Sequence, residues 1–199
     1  MKKLLCVFLI LSSLCFAGKI KSETRVTREQ EKVILNAFKE CGFDGEIEAI
    51  KHDEMLDGAY SETGKGYRVN FKDGAKNVTL YLKENGEIEK IRYITKNFYE
   101  YGKVLDNARD YVVTFNEKND YNIRCMHVIK SLLVSPSTAK FPNILHWKFA
   151  KDKGILIVQS YVDSQNAYGA KIRNNFQFKI DTKVQKIISL IIDGKEFMK

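Results

Sequence analysis

The sequence predicts an α+β fold made of two small modules in tandem, each with one helix followed by an antiparallel β-meander. Apolar residues at helical spacing occur in two places along the chain. Each helical pattern is followed by segments in which apolar and polar residues alternate, and turn residues separate these segments. Because the same order of elements occurs twice, we expect two modules of one plan, although the two halves share no obvious residue identity.

Residues 1–17 are predicted to be an export signal. They hold two lysines, an apolar run of about 13 residues and a small residue, Ala17, at the cleavage site. The run is shorter than the roughly 20 residues that cross a bilayer. We therefore expect a mature chain that begins at Gly18 and is secreted or held in the cell envelope. A lipid anchor at Cys15 is the alternative, but Leu14 stands where a lipoprotein signal has a small residue.

Residues 18–105 are expected to form the first module. The stretch TREQ at 27–30 is a capping box, which predicts a helix start, and Gly42 suits the helix end. The predicted apolar face of this helix consists of Val33, Ile34, Ala37, Phe38 and Cys41. Strands are predicted near 47–50, 67–71, 78–82 and 88–94, with turns at Asp73-Gly74 and Asn85-Gly86.

Residues 106–118 are expected to connect the modules. They include a strand-like run from Tyr111 to Phe115, which we expect to pair with another strand, because a bare loop of this length is unusual. The second module is predicted over 119–199, with a helix capped by Asn119 or Asp120. Its buried side should contain Ile123, Met126, Ile129 and Leu133, and strands should follow at 144–149, 155–162, 170–180 and 184–192.

The stretch SPSTAKFPN at 135–143 contains both prolines of the chain. Ser135 is predicted to cap a helical turn that begins at Pro136. Pro142 should hold Phe141 in an extended conformation, which would start the next strand and place this ring in the core. The pair Ser137 and Lys140 also suggests a nucleophile with its base, but no neighbouring group supplies an oxyanion hole, so a structural corner is favoured.

The stretch VQSYVDSQNAYGAKIRNNF at 158–176 is predicted to be a hairpin with the three-residue loop Ala167-Tyr168-Gly169. Asp163 then faces Arg173, and the even-numbered face should be buried, including Leu156, Val158, Val162, Ile172, Phe176 and Phe178. The odd-numbered face is basic and rich in amides. The candidate binding residues are Tyr161, Asp163, Gln165, Asn166, Tyr168, Lys171, Arg173 and Asn175.

SPSTAKFP followed by SYVDSQNAYGAKIRNNF resembles a small, mostly uncharacterised domain of exported, lipoprotein and phage-encoded bacterial proteins. The resemblance covers residues 121–199 and implies no activity for them. The first half resembles the companion domain that such proteins sometimes carry. Its helix-and-meander plan is similar to cystatin-like inhibitor folds, which implies a shape and not a function.

The charge is uneven along the chain. The formal net charge is +8, and residues 119–199 contribute 13 basic and 6 acidic residues. This basic half suggests an acidic partner, and a lysine-rich solvated surface is the simpler interpretation. Cys41 and Cys125 fall on predicted apolar faces, where one disulfide or two buried thiols remain open. No residue pattern indicates a cofactor, and three scattered histidines argue against a metal site.

These observations favour an exported, non-enzymatic binding protein whose partner is a protein, a peptide or an anionic envelope polymer. The alternatives are a hydrolase that uses carboxylates such as Asp53, Glu54 or Asp163, and a polyanion-binding protein. A nucleic-acid partner would need more exposed aromatic residues than Tyr161 alone, and export argues against it.

Overall fold

The computed structural model describes residues 21–198 and confirms the α+β class, with two helices and two mainly antiparallel sheets. The predicted signal segment, its cleavage site at Gly18 and the alternative anchor at Cys15 lie outside the described residues. Neither helix of residues 21–198 has the length and apolar character that a membrane crossing requires.

The first module is a seven-stranded sheet covered on one face by helix α1 (Arg28–Glu40). Its strands lie side by side in chain order, antiparallel except for the parallel contact of β1 with β2. They are β1 (Lys21–Ser22), β2 (Ile47–His52), β3 (Lys65–Phe71), β4 (Val78–Leu82), β5 (Ile88–Tyr93), β6 (Lys96–Glu100) and β7 (Lys103–Val104). Four of these strands were predicted, whereas β1, β6 and β7 extend the meander beyond the sequence-based interpretation.

Helix α1 begins as predicted. Thr27 is the N-cap, and both hydrogen bonds of the capping box with Gln30 are present. Gly42 follows the helix with a φ of 79°, the left-handed conformation that favours glycine there. The prediction that Val33 is buried is wrong, because its side chain is 59% exposed while Ile34, Ala37 and Phe38 face the sheet.

The connection between the modules contains no strand in the described chain. Residues 108–110 form a short 3₁₀ turn, and helix α2 (Phe115–Leu132) begins where the connection was expected to continue. The N-cap is Thr114, not Asn119 or Asp120, because Thr114 forms a second capping box with Glu117. The earlier start changes the buried face, which consists of Tyr121, Cys125 and Ile129.

Four core positions were predicted for α2. Ile129 is buried as predicted, two others are partly buried against the second core, and the prediction for the fourth is wrong. Met126 and Leu133 pack against the edge of this core. Ile123 is 48% exposed, because the sheet packs against the side of α2 that carries Tyr121 and Cys125.

The second module is a five-stranded antiparallel meander packed on α2. Its strands are β8 (Lys148–Asp152), β9 (Ile155–Gln165), β10 (Lys171–Asp181), β11 (Lys186–Ile192) and β12 (Lys195–Met198), again in chain order. The predicted strand at 144–149 is wrong in its first half, because Ile144–His146 form a 3₁₀ turn capped by Asn143.

The two cores meet at adjacent residues of the connection. Val112 belongs to the core of the first module, and Val113 belongs to the core of the second. Asp110 fixes the same junction, since its carbonyl oxygen accepts from Gly154 N at 2.9 Å and its carboxylate pairs with Lys183 Nζ at 2.8 Å.

Lys151 adds a buried charge to this junction. Its side chain is 1% exposed, and Nζ donates to Glu117 Oε1 at 2.6 Å and to the carbonyl oxygen of Arg109 at 2.9 Å. Because Lys151 points from β8 toward the connection and α2, it ties the second sheet to both.

The proline-containing stretch is a structural corner, as predicted, but its details differ. Pro136–Thr138 form a 3₁₀ turn in which the Ser135 side chain makes no capping bond, while Thr138 Oγ1 donates to the carbonyl oxygen of Ser135 at 2.8 Å. Phe141 is partly buried against the second core, beside Trp147 and Phe176.

Candidate binding face of the second sheet

The β9–β10 hairpin has the predicted register. Asp163 lies opposite Arg173, Tyr161 opposite Asn175, and Gln159 opposite Gln177. The loop is Ala167-Tyr168-Gly169, closed by Asn166 and Ala170, and Gly169 adopts a φ of 81°. The loop length therefore decides which side chains point away from α2.

We call the surface of the second sheet that faces away from α2 the outer face. In β9 and β10 it consists of the odd-numbered side chains, because Leu156, Val158, Val162, Phe176 and Phe178 are buried under the helix. The prediction that Ile172 belongs to this core is wrong. Ile172 is 40% exposed, although Ser164, its partner across the hairpin, is buried.

Tyr161, Asp163 and Arg173 form one cluster on the outer face. Arg173 binds Asp163 through two parallel bonds, Nε to Oδ1 and Nη2 to Oδ2, both of 2.7 Å. The Arg173 guanidinium carbon also lies 3.8 Å from the centroid of the Tyr161 ring. The hydrogen bonds from Arg173 keep the pKa of Asp163 below its ordinary value, and Asp163 raises the pKa of Arg173.

The remaining candidate residues lie around this cluster. Asn175 and Lys171 are exposed on the same face. Asn166 shapes the loop, because its Oδ1 accepts from Tyr168 N at 2.9 Å and from Ala170 N at 3.0 Å. Tyr168 is 95% exposed at the loop tip, and Gln165 is held by its backbone N–H, which donates to Thr138 Oγ1 at 2.9 Å.

Lys140 is an outer-face residue that the sequence did not indicate. It forms an antiparallel bridge with Asp163, and side chains directly opposed in such a pair lie on the same face. Lys140 is exposed beside the Asp163–Arg173 pair. Its partner is 23 positions away along the chain, so no local spacing pattern could have revealed this placement.

A cavity of about 390 Å³ opens on the outer face next to this cluster. Its floor is a row of opposed residues across four strands, Lys148, Gln159, Gln177 and Ile191. Tyr161 and Asn175 form the neighbouring row. This volume lies within the range of ordinary ligand sites.

The cavity ends near the β11–β12 turn at Asp193. The carboxylate of Asp193 is already bound, because Oδ1 accepts from Asn175 N at 2.8 Å and Oδ2 accepts from Asn174 Nδ2 at 2.6 Å. Asp193 therefore fixes this edge of the cavity more than it offers a free charge.

The carboxylates considered for hydrolysis are separated between the modules. Asp53 pairs with Arg68 at 2.5 Å and caps the 3₁₀ turn Glu54–Leu56 of the first module, whereas Asp163 lies on the second sheet. A general acid at neutral pH needs a raised pKa, and the pKa of Asp163 is shifted the opposite way. Asp53 and Glu54 are chain neighbours in the first module, and Asp163 lies on the other sheet.

The Asp57 carboxylate of the first module has a strongly lowered pKa. Partial burial alone would raise its pKa, but bonds from Lys65 Nζ at 2.8 Å, Gly66 N at 3.0 Å and His52 Nε2 at 2.9 Å lower the pKa to about 2. Among residues 21–198, no three His, Cys, Asp or Glu side chains group closely enough to hold a metal ion.

Cys41 and Cys125 are free and buried, each in a different core. Burial raises the pKa of the Cys41 thiol and of the Cys125 thiol to about 12. Of the two possibilities left open by the sequence for Cys41 and Cys125, the structure has two buried thiols that are not joined to each other.

Neither known family models, nor curated proteins, nor solved structures match the chain. The function of the outer face is therefore inferred from its residues, hydrogen bonds and charges alone.

Proposed function

We propose that this protein is an exported, non-enzymatic binding module of the cell envelope or the extracellular space, and that it binds its partner through the outer face. The single observation that carries the proposal is the ordered polar surface around Arg173 on the side of the sheet away from α2, where two hydrogen bonds to Asp163 and the Tyr161 ring hold the guanidinium in place. A preorganised surface loses less conformational entropy on binding than a mobile one.

The sequence supports the exported location through residues 1–17, which have the parts of a signal peptide. The likeness of SPSTAKFP and SYVDSQNAYGAKIRNNF to domains of exported bacterial proteins agrees with this location. Four lysines around the outer face make no ion pair with any described residue, which favours a partner with negative charge; they are Lys140, Lys148, Lys171 and Lys179.

The proposal is tested with the mature protein immobilised and exposed to an envelope extract of the producing cell. The matched variants are Tyr161→Ala and Arg173→Ala, which should fold normally because both side chains lie on the solvent side of the sheet. We expect a component that the unaltered protein retains, that both variants retain several-fold less, and that more salt releases. Equal retention by all three proteins would overturn the role of this face, and recovery of a cleaved component would favour the hydrolase.

A further inference from the structure

We infer that the outer-face cavity binds about four residues of an extended acidic peptide segment, with a carboxylate at the β8 end beside Lys148. This inference deepens the proposed function and depends on it, because it names the ligand of the same surface. It is carried by the dimensions of the cavity, by the free hydrogen-bonding groups of its floor and by the placement of its charges.

The dimensions fit a short extended chain. The floor crosses β8, β9, β10 and β11, and three inter-strand spacings correspond to about 14 Å. An extended polypeptide rises about 3.3 Å per residue, so this length holds roughly four residues. A peptide in this position lies across the strands and uses the side chains of the face, not the backbone of an edge strand.

The glutamine pair on the floor has the complement of a peptide group. Gln159 Nε2 donates to Gln177 Oε1 at 2.6 Å. No described residue binds the side-chain oxygen of Gln159 or the side-chain nitrogen of Gln177, so the carbonyl oxygen of Gln159 and the two N–H groups of Gln177 Nε2 remain for a ligand. One acceptor beside one donor matches the N–H and C=O that an extended chain presents.

The charges favour a carboxylate at one end. Lys148 begins the floor on β8, and Lys179 lies on the same face of β10. At the opposite end the Asp193 carboxylate is already bound by the Asn174 side chain and the Asn175 backbone, and Lys148 is the one lysine or arginine among the described residues that line the cavity. An acidic group of the ligand is therefore attracted to the β8 end, which sets its direction.

Two other ligand classes fit this face less well. A polyphosphate is recognised best by bidentate arginines, and Arg173 already uses its paired donors on Asp163. A saccharide ring stacks on an aromatic face, and the Arg173 guanidinium already takes up one of the two faces of Tyr161.

The test measures fluorescence anisotropy of a labelled octapeptide of alternating glutamate and serine, added to the mature protein at low salt. We expect saturable binding that weakens about fivefold in Lys148→Ala, the value of one exposed ion pair. Gln159→Ala should weaken it by a similar factor, and the glutamine counterpart of the peptide should bind at least about tenfold more weakly. The matched control is Lys130→Ala on α2, the helix on the opposite side of the sheet, which should leave binding unchanged.

Three outcomes would overturn the inference: no binding of the glutamate peptide, equal binding of its glutamine counterpart, or full binding by Lys148→Ala. Competition by inorganic polyphosphate that is insensitive to Gln159→Ala would assign the face to polyanions instead. An envelope component that is lost in Arg173→Ala but is not displaced by the peptide would overturn only this inference. The absence of any such component would overturn the proposed function.

Discussion

Lys140 and Asp163 form two backbone hydrogen bonds with each other. Lys140 N donates to the carbonyl oxygen of Asp163 at 2.8 Å, and Asp163 N donates to the carbonyl oxygen of Lys140 at 3.0 Å. This bridge joins the two most distinctive stretches of the sequence, SPSTAKFPN and the β9–β10 hairpin. The proline-containing corner therefore pairs with the far part of β9 through one isolated bridge, beyond the end of β8.

The first prediction concerns the support of this corner. Phe141→Ala should lower the free energy of unfolding by about 2–3 kcal/mol, less than a fully buried ring, because Phe141 packs at the edge of the core against Trp147 and Phe176. Pro142→Ala should cost only about 0.5–1 kcal/mol, because its main effect is on the unfolded chain. Urea unfolding followed by the fluorescence of Trp147 gives both values, and a neutral Phe141→Ala would mean that the corner is not anchored by this ring.

The second prediction concerns the junction of the modules. Lys151→Ala should destabilise the protein by about 2–3 kcal/mol. The change removes the buried ammonium group that binds the Glu117 carboxylate and the Arg109 carbonyl oxygen, and it leaves both without this partner. Lys148→Ala is the matched control on the same strand, since Lys148 is exposed on the other face and should change stability little. Equal melting temperatures for the two variants would contradict the role given to Lys151.

The third prediction concerns acid stability. The folded-state pKa of Asp57 is about 2, below its ordinary value of 3.8, so its contribution is present above about pH 4 and is lost as the pH falls toward 2. Asp57→Asn should cost about 1 kcal/mol at neutral pH, since water screens part of these interactions. The difference in unfolding free energy between the two proteins should shrink below pH 4, and a constant difference down to pH 2 would show that the charge is not responsible.

The fourth prediction concerns the thiols. Because burial raises the pKa of Cys41 and Cys125 to about 12, neither should react with a thiol reagent in the folded protein at pH 8. Both should react in denaturant without a reducing agent, and intact mass after labelling counts them. A species that remains unlabelled until it is reduced would reveal a disulfide.

The features that were predicted correctly depend on neighbouring residues. The hairpin register follows from a three-residue loop and strict alternation, and the start of α1 follows from one capping box. The start of α2 was missed although Thr114 and Glu117 form the same kind of box, because the β-branched residues before it suggested a strand. The capping box was therefore present in the sequence, but the strand propensity of the residues before it favoured the wrong prediction.

Other features depend on contacts between distant segments. The exposure of Val33 and Ile123 reflects how each helix is rotated on its sheet, which periodicity alone does not determine. The candidate face was predicted correctly in its pairing, but Lys140 and the cavity beginning at Lys148 were not part of it, because other strands bring them there.

The division of Val112 and Val113 between two cores leaves no spacer between the modules. In proteins with a flexible tether, tether length determines the volume within which a recognition surface searches for its ligand. Here the two modules should tumble as one body. The orientation of the first module therefore determines the direction in which the outer face points. Inserting even a few glycines after Val112 would therefore change how the protein scans its surroundings, while both sheets kept their own folds.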